Sequence, residues 1–259
     1  MTIRYPAVAG SFYPKDAEEL RLEVLQMLGE APQKTVHPKA LIAPHAGYIY
    51  SGPIAATAYN TLSPYADQIE RVVLLGPSHR VPLLGIATPG CDTFRTPLGD
   101  IPIDLKATDK ISTLSGVHAM PNAHSAEHSL EVHLPFLQII LGDFKLVPLV
   151  VGESTPEEVA DVIETLWGGD ETLIIVSSDL SHYHPYHEAQ ILDSDTTHAI
   201  ERFSTQIQGE QACGCRPLNG LLHAAKHHHL TLTTLDVRNS GDTAGSPDQV
   251  VGYGAYALH

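Results

Sequence analysis

The sequence predicts a single-domain α/β fold of three layers (α/β/α), with helices on both faces of a central mixed, largely parallel sheet. Three observations carry this. Short apolar runs of strand length alternate along the chain with amphipathic stretches of helical length. The runs are apolar throughout, as strands buried on both faces are. No linker, fixed-period repeat or low-complexity tract divides the chain, so one domain is expected over residues 1–259.

The elements follow in order. Asp16 caps a first helix, Asp16–Leu28, with Glu19 three residues on and Leu20, Val24, Leu25 and Leu28 on one stripe. Ala40–Ala43 is a strand, turned by Pro44-His45-Ala46-Gly47. Ile54–Leu62 is helical. Val72–Leu75 is a strand followed by Gly76-Pro77-Ser78-His79, and Leu84–Thr88 is another. Glu127–Leu141 reads as a helix that Pro135 kinks or divides. Leu146–Val151 is a buried strand carrying Pro148. Thr155 caps a helix, with Pro156 at its first position and Glu158 closing a capping box. Leu173–Val176 is a buried strand, followed by Ser177-Ser178-Asp179-Leu180-Ser181-His182. His187–Phe203 and Leu218–Lys226 are helices; Leu230–Val237 and Val250–Ala257 are closing strands.

Composition removes several functions. The 259 residues carry 15 Lys and Arg against 30 Asp and Glu, a formal charge of −15. That balance denies phosphate backbones a broad positive face, so no nucleic-acid partner is expected. At 43% hydrophobic the chain is too apolar for disorder. No apolar run approaches the ~20 residues of a membrane span, and the N-terminus lacks a signal core, so a cytoplasmic protein is expected. Three cysteines make no disulfide framework.

The unusual count is 16 histidines. In open α/β sheets, sites form just past the carboxyl ends of strands. His45, His79 and His182 each stand in a loop that follows a predicted strand. Asp179 precedes His182 by three residues, where it can orient the ring. One such histidine is usually structural; three with an Asp point to one shared pocket. On a helix, His124, His128 and Glu131 would share a side. His128 and Glu127 are the candidates if that side faces the pocket, and a polar surface stripe is the competing reading. Cys213, in Cys213-Gly214-Cys215-Arg216-Pro217, precedes a helix, where a depressed thiol pKa would make it a ligand or nucleophile. Cys91 reads as inert core, and Asn239-Ser240-Gly241-Asp242 as a turn. Ser177 and Ser178 lack a GxSxG elbow, and no GxGxxG, P-loop or HExxH is present.

Together the segments AVAGSFYP, APHAGYIYSG, LLGPSH, EHSLEVHLPFL, SSDLSHY, ACGCRP, NSGD and VVGYGAYA resemble the Memo family, known in microbes as protein B of the AmmeMemoRadiSam system. The resemblance runs from about residue 6 to the C-terminus. It implies the fold of class III extradiol (LigB-like) dioxygenases, which hold Fe(II) with two histidines and a glutamate. By motif, His45 and His79 are the histidine ligands, and Cys213 stands where those enzymes have glutamate. His182 matches the acid/base histidine with Asp179 beside it, and His128 a second pocket histidine. A His₂Cys set is softer than a carboxylate triad and accepts copper or zinc as well as iron. The family implies redox roles and a functional link to radical-SAM and AMMECR1-type proteins; eukaryotic relatives are adaptors for phosphotyrosine peptides.

Three functions stay open on these residues. One is a metal-dependent oxidoreductase, with Fe(II) the first choice, acting on an unidentified small molecule. Another is a non-catalytic module that uses the same pocket for a peptide or partner protein. The third is a zinc hydrolase.

Overall fold

A computed structural model describes residues 2–259. In chain order the strands are β1 (Ile3–Arg4), β2 (Ala40–Ala43), β3 (Arg71–Pro77), β4 (Ile86–Thr88), β5 (Thr93–Thr96), β6 (Gly99–Pro102), β7 (Val117–Ala119), β8 (Lys145–Val151), β9 (Thr172–Ser177), β10 (His182–His184), β11 (Leu232–Asn239) and β12 (Val250–Leu258). The helices are α1 (Ala17–Glu30), α2 (Tyr48–Asn60), α3 (Leu105–Ile111), α4 (Pro121–Ser125), α5 (Leu134–Leu141), α6 (Pro156–Leu166), α7 (Tyr186–Glu201) and α8 (Cys215–His227).

The fully apolar runs form the middle of a nine-stranded mixed sheet. Its order is β10-β12-β2-β9-β3-β8-β4-β7, with β11 also on β12. β2, β9, β3 and β8 are parallel neighbours, with Ala43 opposite Ser177 and Leu75 opposite Val176. β12 and β4 flank them antiparallel. Successive side chains of a strand point to opposite faces, and the cores divide accordingly. Leu41, Val72, Leu74, Leu146, Leu173 and Ile175 meet α1, α2 and α5. Ile42, Val73, Leu75, Val147, Ile174 and Val176 meet α3, α6 and α8. This is the predicted α/β/α layering. β8 meets β4 only at Val150 and Val151, so Pro148 lies where one side of the strand has no ladder partner. A small second sheet, β1-β5-β6, carries the N-terminus.

Several boundaries differ from expectation. The stretch predicted as a helix over Glu127–Leu141 is helical only from Leu134, after a 3₁₀ turn at Glu131–His133. Pro135 falls in the first turn of α5, where its missing N–H costs nothing. Upstream, the Glu127 carboxylate accepts from the Ser129 N–H at 2.9 Å and holds the chain in a loop. His124, on the separate α4, therefore shares no helix face with His128 and Glu131. α2 begins at Tyr48, not Ile54, because burial of Tyr48, Ser51 and Gly52 overrides the break at Pro53. α8 begins at Cys215, not Leu218, with Pro217 tolerated in its first turn.

Candidate metal centre

The adjacent carboxyl ends of β2, β9 and β3 deliver the loops of His45, Asp179 and His79 to one place. The loop before α5 adds His128. Ligand atoms of His45, His79 and His128 all lie within 4.8 Å of one another. The His79 and His128 rings stack at 4.8 Å, and His45 meets His79 edge-on at 5.1 Å. His45 is fully buried, His128 half-buried and His79 the most open. They floor a cleft of about 680 Å³ walled by Phe12, Tyr50, Tyr183, Tyr253 and His182, with Arg80 at its side. Arg80 makes no ion pair among the described residues.

Two of the three histidines are held from behind. Glu127 accepts from the His79 backbone N–H at 2.6 Å and lies 2.9 Å from His79 Nδ1. Burial raises the Glu127 pKa, but the hydrogen bonds and charge of His79 outweigh it and bring it down to about 2. Glu127 is therefore a carboxylate, His79 Nδ1–H donates to it, and Nε2 is left on the other side of the ring. Asp179 Oδ1 accepts from the His45 N–H at 2.7 Å. Behind His45, its Nδ1 lies 2.6 Å from Ser177 Oγ. Burial, then the charges of His79 and His128, hold His45 well below its ordinary pKa. Burial and His79 bring His128 to about 4. Both rings are neutral at pH 7, the form that binds metal. His128 Nδ1 is buried without a hydrogen-bond partner among the described residues. Two neutral imidazoles, His45 and His128, beside a third, His79, whose Nδ1 is turned to a carboxylate, fit a metal ion.

The other predicted residues divide. Cys213 joins the cluster's edge: its Sγ lies 3.4 Å from His45 Nε2 and accepts from the Asp179 N–H at 3.3 Å. Burial, with the nearby Asp179, pushes its thiol up rather than down, correcting the expectation of a depressed pKa. Asp179 serves His45, not His182: sheet order sets β2 beside β9, while the chain carries His182 away to β10. Burial lifts Asp179 to about 7 against its hydrogen bond from His45. Half-buried His182 lines the cleft, and burial lowers its pKa. Glu131 faces the opposite way, toward Arg4 and Tyr13, and His124 Nε2 lies 2.9 Å from the Ala87 carbonyl. Asn239–Asp242 forms the expected turn, and its Ser240 also lines the cleft. Sequence reasoning missed His133 and Tyr59 behind Ser177, and Arg4 beneath the His128 loop.

These pKa shifts predict an acid-labile metal-free protein. His45 is held low, His124 and His128 at about 4 and His133 at about 3, in each case chiefly by burial. Each takes up a proton on unfolding below pH ~6.5, so stability is full above that pH and falls as pH drops. Asp179, at about 7, works the other way below neutrality, as do Asp193 and Glu23, both raised by burial. The lowered His182 adds to the histidine side. Each net proton is worth about 1.4 kcal/mol per pH unit. Urea unfolding is therefore expected at a markedly lower midpoint at about pH 5.5 than at about pH 7.5. A flat profile would show that the histidines are not held neutral.

The chain is similar to known proteins over nearly its whole length. The model for Memo-like proteins matches residues 4–257. A MEMO1 family protein of Aquifex aeolicus is 38% identical over 265 residues, covering 98% of each chain. One from Methanosarcina mazei is 37% identical over 272 residues, again covering 98% of both. A crystal structure of an uncharacterized Escherichia coli K12 protein shares the fold, with a TM-score of 0.50 at 12% identity over 83% of this chain and 98% of that one. From its second residue pair to its last strand, the chain belongs to the Memo-like protein family.

Proposed function

We propose that the cleft is a metal-dependent redox centre acting on a small molecule. The observation that carries this is the triple of His45, His79 and His128, with ligand atoms within 4.8 Å at the carboxyl ends of parallel strands. His45 and His79 would hold the metal. His128 as a third imidazole, or Cys213 as a thiolate, completes the set. Fe(II) is the first choice from the family resemblance, and this donor set also suits copper and zinc. Such a metal supplies Lewis acidity and, as iron or copper, one-electron chemistry.

The chain's own groups do the rest. His182, neutral in the cleft wall, takes up a proton from the substrate. Asp179, at about 7, stores one next to His45. Phe12, Tyr50 and Tyr253 offer an aromatic wall, and about 680 Å³ suits a small ligand. Exposed Tyr183 and Arg80 favour the competing reading, a module that receives a peptide or partner protein in the same cleft. That reading requires binding that survives chelation.

Elemental analysis of protein purified without oxygen tests the proposal. Near-stoichiometric iron, copper or zinc is expected in the parent and none in His45→Ala or His79→Ala. Loss in Cys213→Ala with retention in His128→Ala identifies the thiolate set; the reverse identifies three imidazoles. Metal retained by both His45→Ala and His79→Ala overturns the proposal.

A further inference from the structure

We infer that Ser177 is a positioning residue that sets the ring tautomer of His45, with His133 and Tyr59 completing its hydrogen bonds. Ser177 is the last residue of β9 and fully buried. Its Oγ lies 2.6 Å from the Ser129 carbonyl, 2.6 Å from His45 Nδ1 and 2.7 Å from His133 Nε2. A hydroxyl has one proton and two lone pairs. The carbonyl can only accept, so the Ser177 proton goes there. Both imidazole nitrogens must then donate to the oxygen: Nδ1–H of His45 and Nε2–H of His133. His133 Nδ1 is left as an acceptor, and the Tyr59 hydroxyl at 2.6 Å donates to it. Every group in this buried chain is satisfied by that assignment. Turning the Ser177 proton toward His45 takes that 2.6 Å hydrogen bond from the Ser129 carbonyl and leaves it only the His133 ring, which also lies against it.

The consequence reaches the cleft. With its proton on Nδ1, His45 presents a bare Nε2 to the cluster. Without Ser177 as partner the other tautomer has somewhere to put its proton, because Cys213 Sγ lies 3.4 Å and Asp179 Oδ2 4.0 Å from Nε2. A proton on Nε2 would occupy the lone pair a metal needs. Ser177 decides that competition from the inner side of the ring. The effect on metal affinity rests on the reading of the cleft as a metal centre; the tautomer does not.

Long-range ¹H–¹⁵N histidine spectra of metal-free, ¹⁵N-labelled protein read the tautomer directly. In the parent, His45 is expected with Nδ1 protonated and Nε2 bare. In Ser177→Ala the proton is expected on Nε2, and Zn(II) affinity, measured against a chromophoric chelator, is expected to fall about 10–100-fold. Tyr256→Phe also deletes a fully buried hydroxyl, one that pairs with Thr197 outside this chain of hydrogen bonds, so it should keep both the His45 tautomer and the Zn(II) affinity. A merely structural role for Ser177 would move neither readout, or would move both variants alike. The inference is overturned by Nε2–H on His45 in the parent, or by an Nδ1–H that persists in Ser177→Ala. Should Ser177→Ala not fold, the parent spectrum decides: Nδ1–H upholds the inference and Nε2–H overturns it. A shifted tautomer in a protein that binds no metal upholds this inference and removes the metal reading.

Discussion

Glu131→Ala is expected to destabilise the protein by about 3–5 kcal/mol, the cost of leaving a buried charge without its partner. Arg4 and Glu131 form an ion pair with side chains only 6% and 0% exposed. Glu131 also accepts from the N–H groups of Ala7 (2.7 Å) and Val8 (3.0 Å) and from the Tyr13 hydroxyl (2.5 Å). Truncation removes the acceptor from all four donors, three of them (Arg4, Val8 and Tyr13) on buried residues. Domains are stable by roughly 5–15 kcal/mol in total, so this one change removes a large share. It also reaches the site. The remaining arms of Arg4 hold the His124 carbonyl at 3.0 Å and the Glu127 carbonyl at 2.6 Å, and so carry the loop of His128. Urea denaturation should show a lower midpoint at unchanged slope. The double variant Arg4→Met/Glu131→Leu should recover part of the loss, because no charge is then buried alone. Its recovery should stay incomplete, since the buried Val8 N–H and Tyr13 hydroxyl still lack acceptors. A cost under about 1 kcal/mol for Glu131→Ala would mean that the segment relaxes and lets water reach Arg4.

What sequence reasoning recovers follows from which forces are local. Val72–Leu75, Leu146–Val151 and Leu173–Val176 are legible because strands covered on both faces must be apolar at every position. The edge strands are not. Ile3 pairs with Thr93 across 90 residues, and neither segment carries a pattern that announces it. The histidines after β2 and β3 are legible because chain order alone puts them at carboxyl ends of strands. Their partners are decided by tertiary neighbours. Spacing pairs Asp179 with His182; the sheet order pairs it with His45. Helical periodicity groups His124, His128 and Glu131, yet His128 acts from a loop, and its neighbour Glu127 acts through His79. Ser177 reads as a failed nucleophile when judged by motif, since what it does depends on rings 132 and 44 residues away.

Glu127→Gln is expected to cost about 2–4 kcal/mol and to release the His79 ring, although it changes one atom. Three N–H donors converge on the two oxygens of Glu127: the His79 backbone, His79 Nδ1 and the Ser129 backbone, at 2.6, 2.9 and 2.9 Å. Only a carboxylate, which accepts at both ends, satisfies all three. A glutamine must turn its NH₂ toward one oxygen position or the other. In one orientation the NH₂ meets the His79 backbone N–H; in the other it meets His79 Nδ1–H and the Ser129 N–H. Either way at least one buried donor is orphaned, at about 1–3 kcal/mol, and a second donor is crowded against it. In the second orientation the imidazole relieves the clash by moving its proton to Nε2, the nitrogen that otherwise faces the cleft bare. Zn(II) affinity should then drop about 10–100-fold, as when a metal-binding histidine loses its supporting carboxylate. Urea unfolding and zinc competition on the same preparation separate the two effects. A Glu127→Gln protein that unfolds at the parental midpoint and keeps parental zinc affinity would show that the carboxylate neither holds the loop nor orients the ring. Loss of stability with unchanged affinity would leave Glu127 as a loop anchor and return the orientation of His79 to its stacking against His128.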